Sequence, residues 1–126
     1  MINAERILLA LDSHLDHEVP LGIYGRAAIA LGFANAPEVV SRTLDVDAII
    51  PVSHTCRFRE DANFWDAQEA ANRELEKDGL YITHLFEADQ IFLRRDWQQH
   101  LLPIIRPPTR WLQLFRPATL DLILTK

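Results

Sequence analysis

Leu21-Gly22-Ile23-Tyr24-Gly25-Arg26-Ala27-Ala28-Ile29-Ala30-Leu31-Gly32-Phe33 is the stretch from which the fold can be read. Leu21 to Gly25 is a short apolar run between breakers, which predicts a buried strand. Arg26 to Phe33 is rich in small side chains and suits a helix whose backbone can lie close against a sheet. Ala34 to Val40, with Asn35 and Pro37, reads as a loop. Thr43-Leu44-Asp45-Val46-Asp47-Ala48-Ile49-Ile50-Pro51 follows, a β-branched and apolar run that predicts a second strand ended by Pro51.

The rest of the chain extends this pattern in both directions. Upstream, Ile7, Leu8, Leu11 and Leu15 recur at three- and four-residue spacing, predicting a helix over 3–18 with Asn3 as its cap and Pro20 as its stop. Downstream, Phe64, Trp65, Ala67, Ala71 and Leu75 predict a helix over 62–77, capped by Asp61 and ended by Asp78-Gly79. Leu80–Phe86 and Gln90–Leu93 read as strands on either side of an acidic turn, Glu87-Ala88-Asp89. A short helix over Asp96–Leu102, an extended proline-rich stretch over Ile104–Pro108 and a last strand over Trp111–Phe115 complete the order. The expected fold is one α/β domain over residues 1–126, a mixed sheet flanked by helices. Ala118 to Lys126 starts like a helix and stops with Leu120, Leu122, Ile123 and Leu124 uncovered, so further chain beyond Lys126, or self-association, is expected.

Composition narrows the partners. At 126 residues the chain can bury a single core, and 48% hydrophobic with 25% charged residues is ordinary for a globular domain. A formal net charge of −5 argues against broad adhesion to nucleic acid or an anionic membrane. Cys56 is the only cysteine, so no intramolecular disulfide forms. Met1 to Arg6 lacks a basic segment followed by an apolar one, and no apolar run reaches ~18 residues. The cytoplasm is the expected compartment, with no membrane partner.

The chemistry-bearing feature is the spacing of Asp45 and Asp47. Alternate side chains of a strand share a face, so both carboxylates point one way and Val46 the other. Two adjacent carboxylates repel unless a cation lies between them, and Mg²⁺ commonly takes one or two carboxylates together with substrate phosphates. A D-x-D pair beneath a glycine turn is therefore a reasonable holder for Mg²⁺ or Mn²⁺ with a nucleoside triphosphate. Taken alone, two aspartates at a strand start more often face solvent or form a turn.

Ile23-Tyr24-Gly25-Arg26-Ala27-Ala28 followed by Ser41-Arg42-Thr43-Leu44-Asp45-Val46-Asp47 resembles the minimal nucleotidyltransferases of the polymerase-beta superfamily. Within it, the chain looks most like the small bacterial proteins akin to the AbiEii-type toxins of toxin–antitoxin systems and the DUF6036 group beside them. The resemblance covers roughly residues 20–126, and the first two motifs are its specific part. It implies a nucleotidyltransferase-like mixed sheet and transfer of a nucleotidyl group from Mg²⁺–NTP to an acceptor hydroxyl on RNA or protein. It further implies metal and catalytic roles for Asp45 and Asp47, and a place against the nucleotide phosphates for Gly25. It also implies a position near the site for Lys126. An antitoxin-type protein partner is implied in the same way.

The chain departs from the family pattern in two places. The turn usually carries a second Gly or a Ser, where this chain has Arg26. A guanidinium can bind phosphate bidentately, but it is bulky where the backbone should approach. Active members carry a third carboxylate on a neighbouring strand. Tyr81–Phe86 has none and residues 111–115 offer only Gln113, while Glu87 and Asp89 read as turn residues. Two functional readings follow: a nucleotidyltransferase, or a non-catalytic module of the same fold that acts through a protein partner. A purely structural domain is a third.

Other residues carry weaker signals. Arg42 is placed either to bind triphosphate or to pair with Asp45. His54 and Cys56 are too few for zinc and read as a surface loop. His84 reads as a strand histidine, and His14 and His17 as solvated residues of the first helix. Arg94, Arg95, Arg106 and Arg110, interleaved with Trp97 and Trp111, could touch RNA, although the tryptophans read first as packing residues. Arg57-Phe58-Arg59 reads as a solvated loop.

Overall fold

Helix α1 (Asn3–Ser13) ends sooner than its hydrophobic rhythm predicts. Ile7, Leu8 and Leu11 are fully buried along it, but the chain tightens at its end, with the His14 and Leu15 N–H groups bonding to Leu11 and Asp12 carbonyls. Ser13 Oγ donates to the Ala10 carbonyl at 2.7 Å. Ser, His and Asp are weak helix formers, and such local bonds compete with the helical ladder. Asn3 is the first helical residue, Ile2 stands at the cap, and no side chain caps the helix.

The computed structural model describes residues 2–33, 35–50, 55–87, 94–105 and 107–120. Strand β1 (Val19–Tyr24) runs directly into α2 (Gly25–Gly32), followed by a short α3 (Glu38–Ser41) within the expected loop and β2 (Asp45–Ile50). Pro20 lies inside β1 rather than ending a helix, opposite Gln113 of the parallel strand β5. Val19 directs its N–H to the Trp111 carbonyl, so alternation turns the Pro20 nitrogen away from the β5 ladder. Next come α4 (Thr55–Arg59) and α5 (Ala62–Leu75). Asp61 caps α5 as expected, its carboxylate accepting the Phe64 N–H at 3.0 Å. After a 3₁₀ turn over Glu76–Asp78, Gly79 takes the left-handed conformation, φ 71°, that lets the chain turn into β3 (Tyr81–Glu87). A second 3₁₀ turn, Trp97–His100, stands where a short helix was expected, and β4 (Leu102–Pro103) and β5 (Leu112–Arg116) follow.

The expectations for 90–93, for Ala88-Asp89 and for the tail from Asp121 fall outside the described residues. Glu87 belongs to β3 rather than to a turn. Arg57-Phe58-Arg59 is helical rather than loop. Phe58 is buried and meets Phe64 edge-on at 5.3 Å between ring centroids, because one aromatic ring amid charged neighbours still gains by burial.

The fold is a mixed α/β one. Among the described residues five strands form one sheet in the order β3-β2-β1-β5-β4. β1 is antiparallel to β2 and parallel to β5, β2 is parallel to β3, and β4 is antiparallel to β5. Val19, Leu21 and Ile23 of β1, Val46 and Ala48 of β2, and Leu112 and Leu114 of β5 share one buried cluster with residues of α1, α2 and α5. The small side chains of Ala27 and Ala28 let α2 sit close to the sheet within it.

Two side chains close the fold over long sequence separations. The Asp12 carboxylate accepts the backbone N–H groups of Arg110, Trp111 and Leu112 at 2.9, 2.7 and 2.8 Å, fastening α1 to the entry of β5. Asn72 on α5 brackets Ile82, donating to its carbonyl at 2.9 Å and accepting its N–H at 2.7 Å. Ile82 lies where β3 gains a residue on β2: Asp45 pairs with Tyr81, and Asp47 with His84. That is a β-bulge, and Asn72 supplies hydrogen bonds to the backbone beside it.

Candidate metal and nucleotide site

The extra residue of the bulge is on β3, so alternation along β2 is intact. Val46 and Ala48 are fully buried in the cluster shared with the helices, while Asp45 and Asp47 are half-buried on the opposite side of the strand. Both expected aspartates are thus on one strand and one face. Thr43, which the sequence reading passed over, orients the first: its hydroxyl donates to Asp45 Oδ1 at 3.1 Å.

Antiparallel register sets Tyr24 directly opposite Asp47. Cross-strand partners share a face, so the phenol joins the carboxylates. Burial pushes the Tyr24 hydroxyl up to about 12, and the charges of Asp47 and then Asp45 add to the shift. Both carboxylates are therefore close enough to oppose a third negative charge at the ring oxygen. Tyr24 belongs to this site, and only the strand pairing reveals it.

Gly25 begins α2 with φ 68°. A Cβ built there would lie 3.7 Å from Asp47 Oδ2, so the glycine turn and the second aspartate are immediate neighbours. The positive end of α2 faces this negative pair, and Tyr24 at its N-cap position makes no side-chain cap. Arg26, one residue on, is exposed and makes no ion pair with a described residue.

Arg42 is not paired with Asp45. It stands at the end of α3, exposed, with its guanidinium 2.7 Å from Glu38 Oε1 one helical turn earlier. Lys126, His54 and Asp89 fall outside the described residues, and Cys56 is exposed on α4. Among the described residues no group of three or more His, Cys, Asp or Glu side chains is arranged to hold a metal ion, so Asp45 and Asp47 stand as a pair. Trp97 is buried and Trp111 packs against the core, with the Arg110 guanidinium 4.9 Å from its ring centroid. Both tryptophans are packing residues first. No described helix is long and apolar enough to cross a membrane.

Comparison with protein-family models, with curated proteins and with solved structures finds no match. The chemistry of the site rests on its own geometry.

Proposed function

We propose that this chain is a nucleotidyltransferase-type domain that takes a nucleoside triphosphate with Mg²⁺ or Mn²⁺ and transfers the nucleotidyl group to an acceptor hydroxyl on RNA or protein. One observation carries the reading: two carboxylates alternate on a single strand, and the second lies against the glycine that opens a helix. Two hard oxygen donors on one face, beside a glycine turn, fit a small divalent cation that shares its other positions with phosphates and water. Asp45 and Asp47 would hold that cation, which when bound would neutralise phosphate charge and orient the reacting groups. Thr43 would fix the orientation of Asp45 through its hydrogen bond to Oδ1. Gly25 would leave the start of α2 open to phosphate, its positive end favouring the anion, and Arg26 would supply a counter-charge. Arg42 could add a second by releasing Glu38, and Lys126 is a further candidate. The acceptor would approach from the side of Tyr24.

A thermal-shift titration with Mg²⁺ and each nucleoside triphosphate tests the binding step. The native protein is expected to gain stability by mass action, and the Asp45→Asn/Asp47→Asn protein is not. Equal shifts in both would remove the pair from the site. A transfer assay with α-labelled triphosphate, offering RNA and protein acceptors, then tests the chemistry.

The second reading, a nucleotide-binding module that acts through a protein partner such as an antitoxin or a second copy, is favoured by one fact. Among the described residues no third acid joins the pair. It predicts the same thermal shift without label transfer or pyrophosphate release.

A further inference from the structure

At the end of β1 remote from Tyr24, the loop joining α1 to β1 is fastened to the start of α5 through His17. Its Nδ1 is 2.7 Å from Asp16 Oδ1 and its Nε2 is 2.6 Å from Asp61 Oδ2. A neutral imidazole has one N–H and one lone pair, so it can donate to only one of two carboxylates. Both contacts are satisfied together only when both ring nitrogens carry protons. Asp61 is not free to turn away, because its other oxygen caps α5 at Phe64. Neighbouring contacts pull the same two segments together: the Asp16 N–H donates to Asn63 Oδ1 at 3.1 Å, and His14 Nε2 is 2.9 Å from Glu74 Oε2.

We propose that His17 is a proton-operated clamp, closed as the imidazolium and released as the neutral ring, which fastens the α1–β1 loop to the N-terminus of α5. Hydrogen bonds donated to Asp16 and then to Asp61 raise its affinity for the proton, against a smaller opposing effect of burial. Asp16 is largely exposed, whereas Asp61 is only 20% exposed and held by the helix, so the Asp61 arm carries the clamp. Among the described residues, the other charged groups around it are His14 and Glu18 on the loop, Glu74 on α5, and Arg57 and Glu60 at α4. Glu18, Arg57 and Glu60 line the same groove as His17 and Asp61, of about 440 Å³. Loss of the proton leaves a ring lone pair facing a carboxylate, and the loop separates from the helix along that groove.

The folded value lies above the ordinary 6.5, so the clamp's stabilisation is fully present below that pH and is lost as pH rises through the raised value. Two measurements on the intact protein test this. In ¹⁵N-detected NMR of the histidine rings, His17 is expected to titrate with a midpoint above that of a free imidazole. Asp61→Asn, which retains an oxygen for the Phe64 cap, is expected to lower that midpoint. In melting curves from about pH 6 to about pH 9, the native protein is expected to lose stability in a step that His17→Gln lacks and His14→Gln keeps. A midpoint at or below that of a free imidazole, a midpoint unmoved by Asp61→Asn, or parallel melting profiles for the native and His17→Gln proteins would overturn the proposal. The NMR titration decides the matter even if His17→Gln does not fold.

Discussion

The Asp47 carboxylate and Gly25 are neighbours across the β1–β2 pair: Oδ2 lies 3.7 Å from where a Cβ on the glycine would stand. Space alone would admit that Cβ, but a φ of 68° would not admit it freely. Gly25→Ala is therefore expected to destabilise the fold by about 1–3 kcal/mol through backbone strain. Urea melts measure this, and an unchanged midpoint would mean that the turn relaxes without cost.

Asp45 and Asp47 place two like charges on one face of β2. Asp45→Asn keeps an oxygen for the Thr43 hydroxyl and removes one negative charge. Without divalent ions it is expected to match or exceed native stability, by up to about 1 kcal/mol. With Mn²⁺ the order reverses, because the native protein gains a ligand that the variant holds poorly. Melting curves with and without Mn²⁺ check this, and a variant destabilised to the same extent in both would indicate a purely structural role for Asp45.

The two arginines should separate by their engagement. Arg26 makes no ion pair with a described residue, whereas Arg42 is bonded to Glu38. Arg26→Ala is expected to weaken nucleotide binding by about 1–3 kcal/mol, the range for hydrogen bonds to charged groups, and Arg42→Ala by less. Calorimetric titration with a non-hydrolysable triphosphate measures both. Tighter binding by Arg26→Ser would show that the guanidinium obstructs the turn.

Asp12 offers the largest expected loss. Asp12→Ala leaves three backbone N–H groups at the entry to β5 without their acceptor, which at about 1–3 kcal/mol for each unsatisfied buried group outweighs any gain in helix propensity. Water reaching Arg110 reduces the sum, so a loss of about 3 kcal/mol is expected by chemical denaturation. Asp12→Asn, which retains one side-chain carbonyl oxygen, should fall between the two proteins.

Features that depend on neighbours in sequence were legible there. The Asp61 cap announces itself just before the apolar rhythm of α5, Gly79 sits where a helix must end, and two-residue spacing fixes the face of Asp45 and Asp47. Whatever depends on pairing across the fold was not. Tyr24 becomes a site residue only once antiparallel register sets it opposite Asp47. Asp12 carries no signal in the sequence, because its partners, Arg110 to Leu112, are about a hundred residues away. Asn72 reads as a solvated helix position until the bulge in β3 calls for its amide. Phe58 was obscured by its charged neighbours. The Glu38–Arg42 spacing was visible, but reading that stretch up to Val40 as loop hid the helical turn that joins them.

The placement of β5 bears on how the chain is made. β1 lies at the centre of the sheet, between β2 and β5, yet β5 follows it in the chain only after β2, β3 and β4. On a ribosome, β1, β2 and β3 can emerge and pair while the other edge of β1 still lacks its neighbour. An open edge of that kind invites strands from other chains. Parallel closure of β5 onto β1 joins distant residues, so it is a slow step, and Asp12 waits on α1 to receive the incoming backbone. Nascent chains stalled before residue 110 should accordingly bind chaperones and aggregate, and completion of β5 should end both.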